Sequence, residues 1–200
     1  MKEKILVSIK LMSDIIIEMI ELVYKGLMDN DCHYLDKVLD KEITLDDLEK
    51  DIVSVVTDIS KDNEKDKADF ILYAQIAQNL ERIGDEIRSL VERIEIKIVD
   101  RLFFSDVGVE QYKEVFGKMT TSVNLTVQLL KEGKKDLINT ILKNGDGIKV
   151  LIEKYRKEHL KRLAEGICKA RASNMYFDML DFTGNIARHC TNIAKIIKEN

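Results

Sequence analysis

Between Tyr73 and Ile94 the apolar residues advance by four and three without a fault: Tyr73, Ala77, Leu80, Gly84, Ile87, Val91 and Ile94. That step is the seam of a helix packed lengthwise against other helices. A strand would need alternation instead. The same period runs through Ile5, Ile9, Met12, Ile16, Ile20, Val23 and Leu27, through Leu45, Leu48, Ile52, Val55 and Ile59, and through Tyr112, Val115, Met119, Val123, Val127 and Leu130. No proline occurs in the 200 residues and only nine are glycine, which disfavours a turn-rich β-sandwich.

The spacing predicts helices over Lys2–Leu27, Glu64–Val99, Val109–Lys131 (ended by Gly133) and Ala170–Lys198. Polar runs at Asp29-Asn30-Asp31 and Ser60-Lys61-Asp62-Asn63 read as breaks. Between them a short helix over His33–Asp40 is expected. A second start follows at Thr44-Leu45-Asp46-Asp47, which has the form of a capping box. A fifth helix is expected from Lys134, broken at Asn144-Gly145-Asp146-Gly147, resumed through Ile148, Leu151, Ile152, Tyr155 and Leu163, and closed by Gly166. Gly84 sits inside the most regular seam. Glycine costs about 1 kcal/mol against alanine there, so close backbone approach by a neighbour is expected at that point.

One offset relates the two ends of the chain. Adding 103 carries Ile9, Met12, Ile16 and Ile20 onto Tyr112, Val115, Met119 and Val123, and carries Tyr73, Gly84, Ile87 and Ile94 onto Tyr176, Ala187, Cys190 and Ile197. It also lays the expected break at 41–44 on the one at 144–147. Any two seams can be slid into register, but several matches at one offset indicate a repeat. The expected fold is all-α, two tandem pseudo-symmetric three-helix bundles over residues 1–103 and 104–200, with small-angle helix packing.

With 32 basic and 36 acidic residues, the chain has no electrostatic footprint for nucleic acid and none for an anionic membrane surface. Cys32, Cys168 and Cys190 are too few for a disulfide framework, and no CxxC is present. A sparse, odd count fits a reducing compartment. The apolar N-terminus is interrupted at helical intervals by Lys10, Asp14, Glu18 and Glu21, so it reads as an amphipathic helix and not as a signal or a span. The expected location is the cytoplasm.

Chemistry is sparse. No P-loop, GxSxG, HExxH or paired ExxH motif occurs, and no enzyme is expected. Glu81 and Asp85, four apart on the third helix, stand one turn from each other, and Ser89 continues their row. Two carboxylates so placed suit a cation, which takes several oxygen ligands. Spacing alone favours a solvated face, with the two carboxylates paired to lysines or water. Asp47 and Asp51 form a similar pair on the second helix. With the second and third helices antiparallel, the four carboxylates would make one cluster, although Asp47 is also explained as the capping partner of Thr44. A zinc site from His159, Cys168, His189 and Cys190 is disfavoured, since His189 and Cys190 are adjacent and diverge by about 100° around a helix.

Leu80-Glu81-Arg82-Ile83-Gly84-Asp85 resembles the E/DxxxD hallmark of the PhoU family of phosphate-uptake regulators. Glu158-His159, Gly166-Ile167-Cys168, Ser173, Tyr176-Phe177-Asp178 and the ordered His189-Cys190-Thr191-Asn192-Ile193-Ala194 are similar to the PhoU-like domain of sodium/phosphate cotransporters. The resemblance covers nearly the whole chain. It implies a pair of three-helix bundles and iron or zinc held by acidic rows. That implication carries over to Glu81 and Asp85, with Asp47 and Asp51 as weaker candidates. The second motif is degenerate: its acidic positions fall on Gly184 and Arg188, and neither side chain can ligate a metal. The fixed charge of Arg188 is expected to do by ion pairing what a cation does elsewhere. By the same resemblance the chain is a cytoplasmic, non-enzymatic homodimeric adaptor that contacts a phosphate transporter or its sensor histidine kinase, reaching a membrane only through a protein partner. Alternatives are a soluble accessory subunit of a sodium/phosphate-type carrier, a metal-storage bundle, or a purely structural helical protein.

Overall fold

The computed structural model describes residues 2–59 and 67–199. Six long helices are present, with no strand among the described residues. They are α1 (Lys2–Asp29), α2 (Cys32–Ile59), α3 (Lys67–Val99), α4 (Asp106–Glu132), α5 (Ile138–Ala164) and α6 (Ala170–Glu199), with one 3-10 turn at Lys135–Leu137 before α5. The expected break at Ser60–Asn63, and the expected start of the third helix at Glu64, lie outside the described residues. An offset of 103 superposes each helix range of the first trio on one of the second to within a few residues.

The helix ends follow local chemistry. After α1 the chain turns through Asn30 at φ 52°, a left-handed conformation that asparagine tolerates. Asp31 then caps α2, its Oδ1 accepting from the His33 N–H at 2.9 Å. Ser105 caps α4 by accepting from the Gly108 N–H at 3.2 Å. Gly133 ends α4 at φ 68°, its N–H reaching the Leu129 carbonyl; a residue without Cβ takes that conformation without strain.

Two expected interruptions do not occur. α2 is continuous through 41–44 and α5 through 144–147. Thr44 is not a cap: it lies exposed in mid-helix, with Oγ1 donating back to the Asp40 carbonyl at 3.3 Å. Asn144 donates to the Lys118 carbonyl and to Ser122 Oγ on α4, so a residue that reads locally as a break is held within a helix by its neighbour. Tertiary packing outweighs propensity in both places.

α1, α2 and α3 pack on one another, as do α4, α5 and α6. The trios meet through α3 against α6 and α1 against α4. The apolar stripes merge into one core that runs through both trios, from Met12, Ile16 and Met19 through Leu80, Ile83, Ile87 and Leu90 to Met119, Tyr176, Met179 and Ile193. The predicted seam on α3 is therefore shared: it packs inside its own trio and against the other. Polar links cross the same boundary. Arg93 pairs with Asp178 at 3.0 Å, Lys131 with Asp14, and the Tyr24 and Phe116 rings lie 5.3 Å apart. Gly84 is buried, and a Cβ there would stand 2.3 Å from Leu45 Cδ2. α2 does approach closely at Gly84, but with the Leu45 side chain and not with its backbone.

Candidate functional site

Leu45 packing over Gly84 sets the rotation of α2 against α3. At about 100° per residue, the positions flanking that contact are decided by single-residue differences. Glu81 is half-buried on α3, and its carboxyl is hydrogen-bonded to that of Asp85 one turn on. Burial, then the charge of Asp85 and the bond to it, then Glu49 and Asp46 across on α2, push the Glu81 carboxyl up to about 7. Glu49 is raised as well, by burial and by Asp46, against the pull of Lys50. Farther along, Glu42 pairs with Arg88 at 3.3 Å, and Ser89 turns inward on its own helix, donating to the Asp85 carbonyl.

The structure therefore brings Glu81 and Asp85 together, as expected. It does not bring Asp47 and Asp51 to them. Both are exposed, and the α2 charges that act on Glu81 are Glu49 and Asp46. The row of α2 that faces α3 is Glu42, Asp46 and Glu49, at steps of four and three. The sequence held a signal for this row. Asp46 and Glu49 follow directly after Leu45 and Leu48, on the side toward the buried Ile52. Reading Asp47 as part of a cap drew attention to the wrong side of the helix.

Chemically, Glu81 and Asp85 are a carboxyl pair that holds a proton near neutral pH, because burial disfavours the Glu81 anion and the adjacent Asp85 anion repels it. A cation could take that proton's place, and an all-oxygen donor set suits a hard or borderline ion. Among the described residues, no three His, Cys, Asp or Glu side chains converge as a ready-made metal cage.

The equivalent place in the second trio is different in kind. A cleft of about 480 Å³ lies there between α5 and α6, lined by Gly145, Lys149, Ile152, Gly184, Arg188 and Thr191 among others. At the offset of 103 these are the counterparts of Glu42, Asp46, Glu49, Glu81, Asp85 and Arg88. Ile152 Cδ1 lies 2.9 Å from where a Cβ on Gly184 would be, so an apolar side chain occupies the room of the missing carboxylate. These residues do not fit a metal ion.

Among the described residues Arg188 enters no ion pair; the acidic group nearest in effect is Glu86 of α3, whose carboxyl is raised by burial against a hydrogen bond with Asn185 and the charge of Arg188. Beside it lies a buried polar cluster that was not anticipated. His189 Nδ1 stands 3.1 Å from Asn79 Oδ1, and Asn192 Nδ2 donates to the same oxygen at 3.3 Å. The Asn79 amide is satisfied at the Gln75 carbonyl. An amide oxygen only accepts, so Nδ1 carries the proton and Nε2 accepts from the Arg188 guanidinium at 3.3 Å. Burial first, then Arg188 and Arg82, lower the imidazole to about 4. His159 is held apart from it, against Ser173 Oγ at 2.8 Å and stacked on Tyr176, and Cys190 is buried.

A PhoU domain model matches this chain twice, over residues 9–94 and 113–197. The chain belongs to the PhoU family. Two crystal structures share the fold along almost its whole length. PhoU from Pseudomonas aeruginosa superposes with a TM-score of 0.90 at 16% identity, over 98% of this chain and 94% of its own. The phosphate transport system regulatory protein PhoU from Streptococcus pneumoniae gives 0.85 at 12% identity, over 98% and 92%. No curated protein matches by sequence. At these identities the structural likeness speaks for the fold, two tandem three-helix bundles, and the double family match speaks for membership.

Proposed function

We propose that this PhoU-family protein is a cytoplasmic, non-catalytic regulator of phosphate uptake that works as a homodimer through contacts with a phosphate transporter or its sensor kinase. The observation that carries this reading is the family match across both trios. A structural neighbour described as a phosphate transport system regulatory protein agrees with it. The architecture suits an adaptor: six helices of 27 to 33 residues share one core and present long, rigid surfaces. No helix among the described residues is long and apolar enough to cross a membrane, so in this reading the membrane is reached through a protein partner.

Iron or zinc binding is part of the proposal, at the first trio alone. Glu81 and Asp85 would hold the ion, with Glu49 and Asp46 supplying negative field from α2 and Asp47 and Asp51 contributing no ligand. Metal analysis of the purified protein before and after Glu81→Ala plus Asp85→Ala tests this. Equal metal content in both proteins rejects it. The functional reading is tested by affinity isolation of the full chain from phosphate-starved and phosphate-replete cells. Recovery of a phosphate transporter or a sensor histidine kinase is the expected outcome, and recovery of neither in both conditions overturns it. A second reading, an accessory subunit of a sodium/phosphate-type carrier, draws on the run His189-Cys190-Thr191-Asn192-Ile193-Ala194; co-isolation with such a carrier and no kinase would select it.

A further inference from the structure

The cleft between α5 and α6 inverts the charge of the place it corresponds to. In the first trio Asp46 on α2, with Asp85 and Glu92 on α3, supplies carboxylates. The offset of 103 carries these three positions onto Lys149, Arg188 and Lys195, and all three line the cleft. Glu42, Glu49 and Glu81 fall on Gly145, Ile152 and Gly184. Of six acidic positions, three have become cationic and three have lost their charge. Loss of a metal site needs no cation in its place, so the change is more than the removal of ligands.

The three cations are free to bind. Among the described residues Lys149, Arg188 and Lys195 enter no ion pair. Arg188 gives one N–H to His189 Nε2, which leaves most of its five-donor fork unused. Arg188 and Lys195 are seven residues apart on α6, hence on one face and about 10 Å apart along the axis. Lys149 stands on the α5 wall. Carboxylates are present too, but they do not cancel the field. Asp181 is held by Arg156, and Glu86 is bonded to Asn185. Asp146 and Glu153 lie one turn to either side of Lys149, on a helix with seven basic and three acidic residues.

We infer that this cleft binds a small molecule through a phosphoryl group, with Lys149, Arg188 and Lys195 as its cationic contacts. Three cations match a group of more than one negative charge, and a phosphoryl group carries about −1.5 to −2 at neutral pH where a carboxylate carries one. The guanidinium fork meets its oxygens two at a time. A volume of about 480 Å³ lies in the range of small-molecule sites and leaves room for a body attached to the phosphoryl group. Buried Ile152 and Leu180 give that body an apolar floor. The group can come from the free phosphate ion or from a larger phosphorylated molecule.

Binding is read on the purified full chain alone, so its failure leaves the partner contacts proposed above untouched. Calorimetric titration with inorganic phosphate, pyrophosphate, AMP and ATP at about 50 mM salt is the test. The chain is first stripped of metal by dialysis, so that an ion at Glu81 and Asp85 cannot supply the contact. At least one probe should bind one per chain with Kd below about 1 mM, and more weakly in about 500 mM salt. Similar affinity for all four assigns the free ion; pyrophosphate or a nucleotide binding at least about tenfold tighter assigns a larger molecule. Arg188→Gln should weaken binding at least about tenfold, and so should Lys149→Gln plus Lys195→Gln, which spares the Arg188–His189 contact. Lys161→Gln, on α5 outside this cleft, should stay within about twofold of the wild type. All these side chains are exposed, so helicity should be unchanged. Absence of binding by every probe overturns the inference. Binding that the cleft variants leave intact, or that Lys161→Gln weakens as much as they do, overturns it as well.

Discussion

Replacing Glu81 with glutamine should stabilise this protein, and only over part of the pH range. The Glu81 carboxyl titrates at about 7 in the folded chain against an ordinary 4.5. A shift of that size corresponds to about 3 kcal/mol for a fully buried group. Glu81 is half-buried, so solvent screening reduces this to about 1–2 kcal/mol. The sign follows from where the proton is held more tightly. A carboxyl with a raised folded pKa favours the folded state while it is protonated in both states, below about 4.5. That advantage is lost as the pH climbs from 4.5 through 7. At pH 8 the ionised Glu81 is repelled by Asp85, Glu49 and Asp46. Glu81→Gln removes that repulsion and keeps a group able to hydrogen-bond Asp85. Urea unfolding of both proteins in the presence of a chelator at about pH 4, 6 and 8 reads the difference. It should be near zero at pH 4 and about 1–2 kcal/mol in favour of the glutamine variant at pH 8. A difference independent of pH, or a less stable variant at pH 8, refutes the reasoning.

His189 acts in the opposite direction. Its folded pKa is lowered from 6.5 to about 4, so its contribution is complete above 6.5 and is lost as the pH falls through that window, by at most about 3 kcal/mol. An NMR titration should place the His189 midpoint below 5, and a midpoint above 6 would contradict the buried neutral tautomer. Gly84→Ala should destabilise by up to about 2 kcal/mol in thermal unfolding, since the clash with Leu45 opposes a propensity gain of about 1 kcal/mol. In a Leu45→Ala background the same change should stabilise by about 1 kcal/mol, and unaltered destabilisation there would show that Leu45 is not the obstacle. Thr44→Ala should cost less than about 0.5 kcal/mol, whereas Asp31→Ala should cost about 1 kcal/mol as the loss of a cap; equal costs in denaturant unfolding would restore a helix start at Thr44.

Much of this protein is dictated locally. The steps of three and four along α1, α3, α4 and α6 determine which residues are buried, because a helix repeats every 3.6 residues wherever it sits. Asn30 and Asp31, Ser105 and Gly133 mark ends because their side chains, or the lack of one, settle the terminal backbone groups. The doubling by 103 residues is likewise a property of the string. Three matters were decided only when the helices came together. The polar runs at 41–44 and 144–147 stayed helical because packing and partners such as Ser122 outweighed weak local preferences. The carboxylates facing Glu81 became Glu49 and Asp46, with Asp47 and Asp51 turned outward, because Leu45 settled over Gly84. The Asn79–His189–Asn192 cluster formed across more than a hundred residues of sequence. A period gives the angle of each side chain about its own axis, but not the rotation of one axis against another; that rotation is fixed by which large side chain finds the space left by a small one.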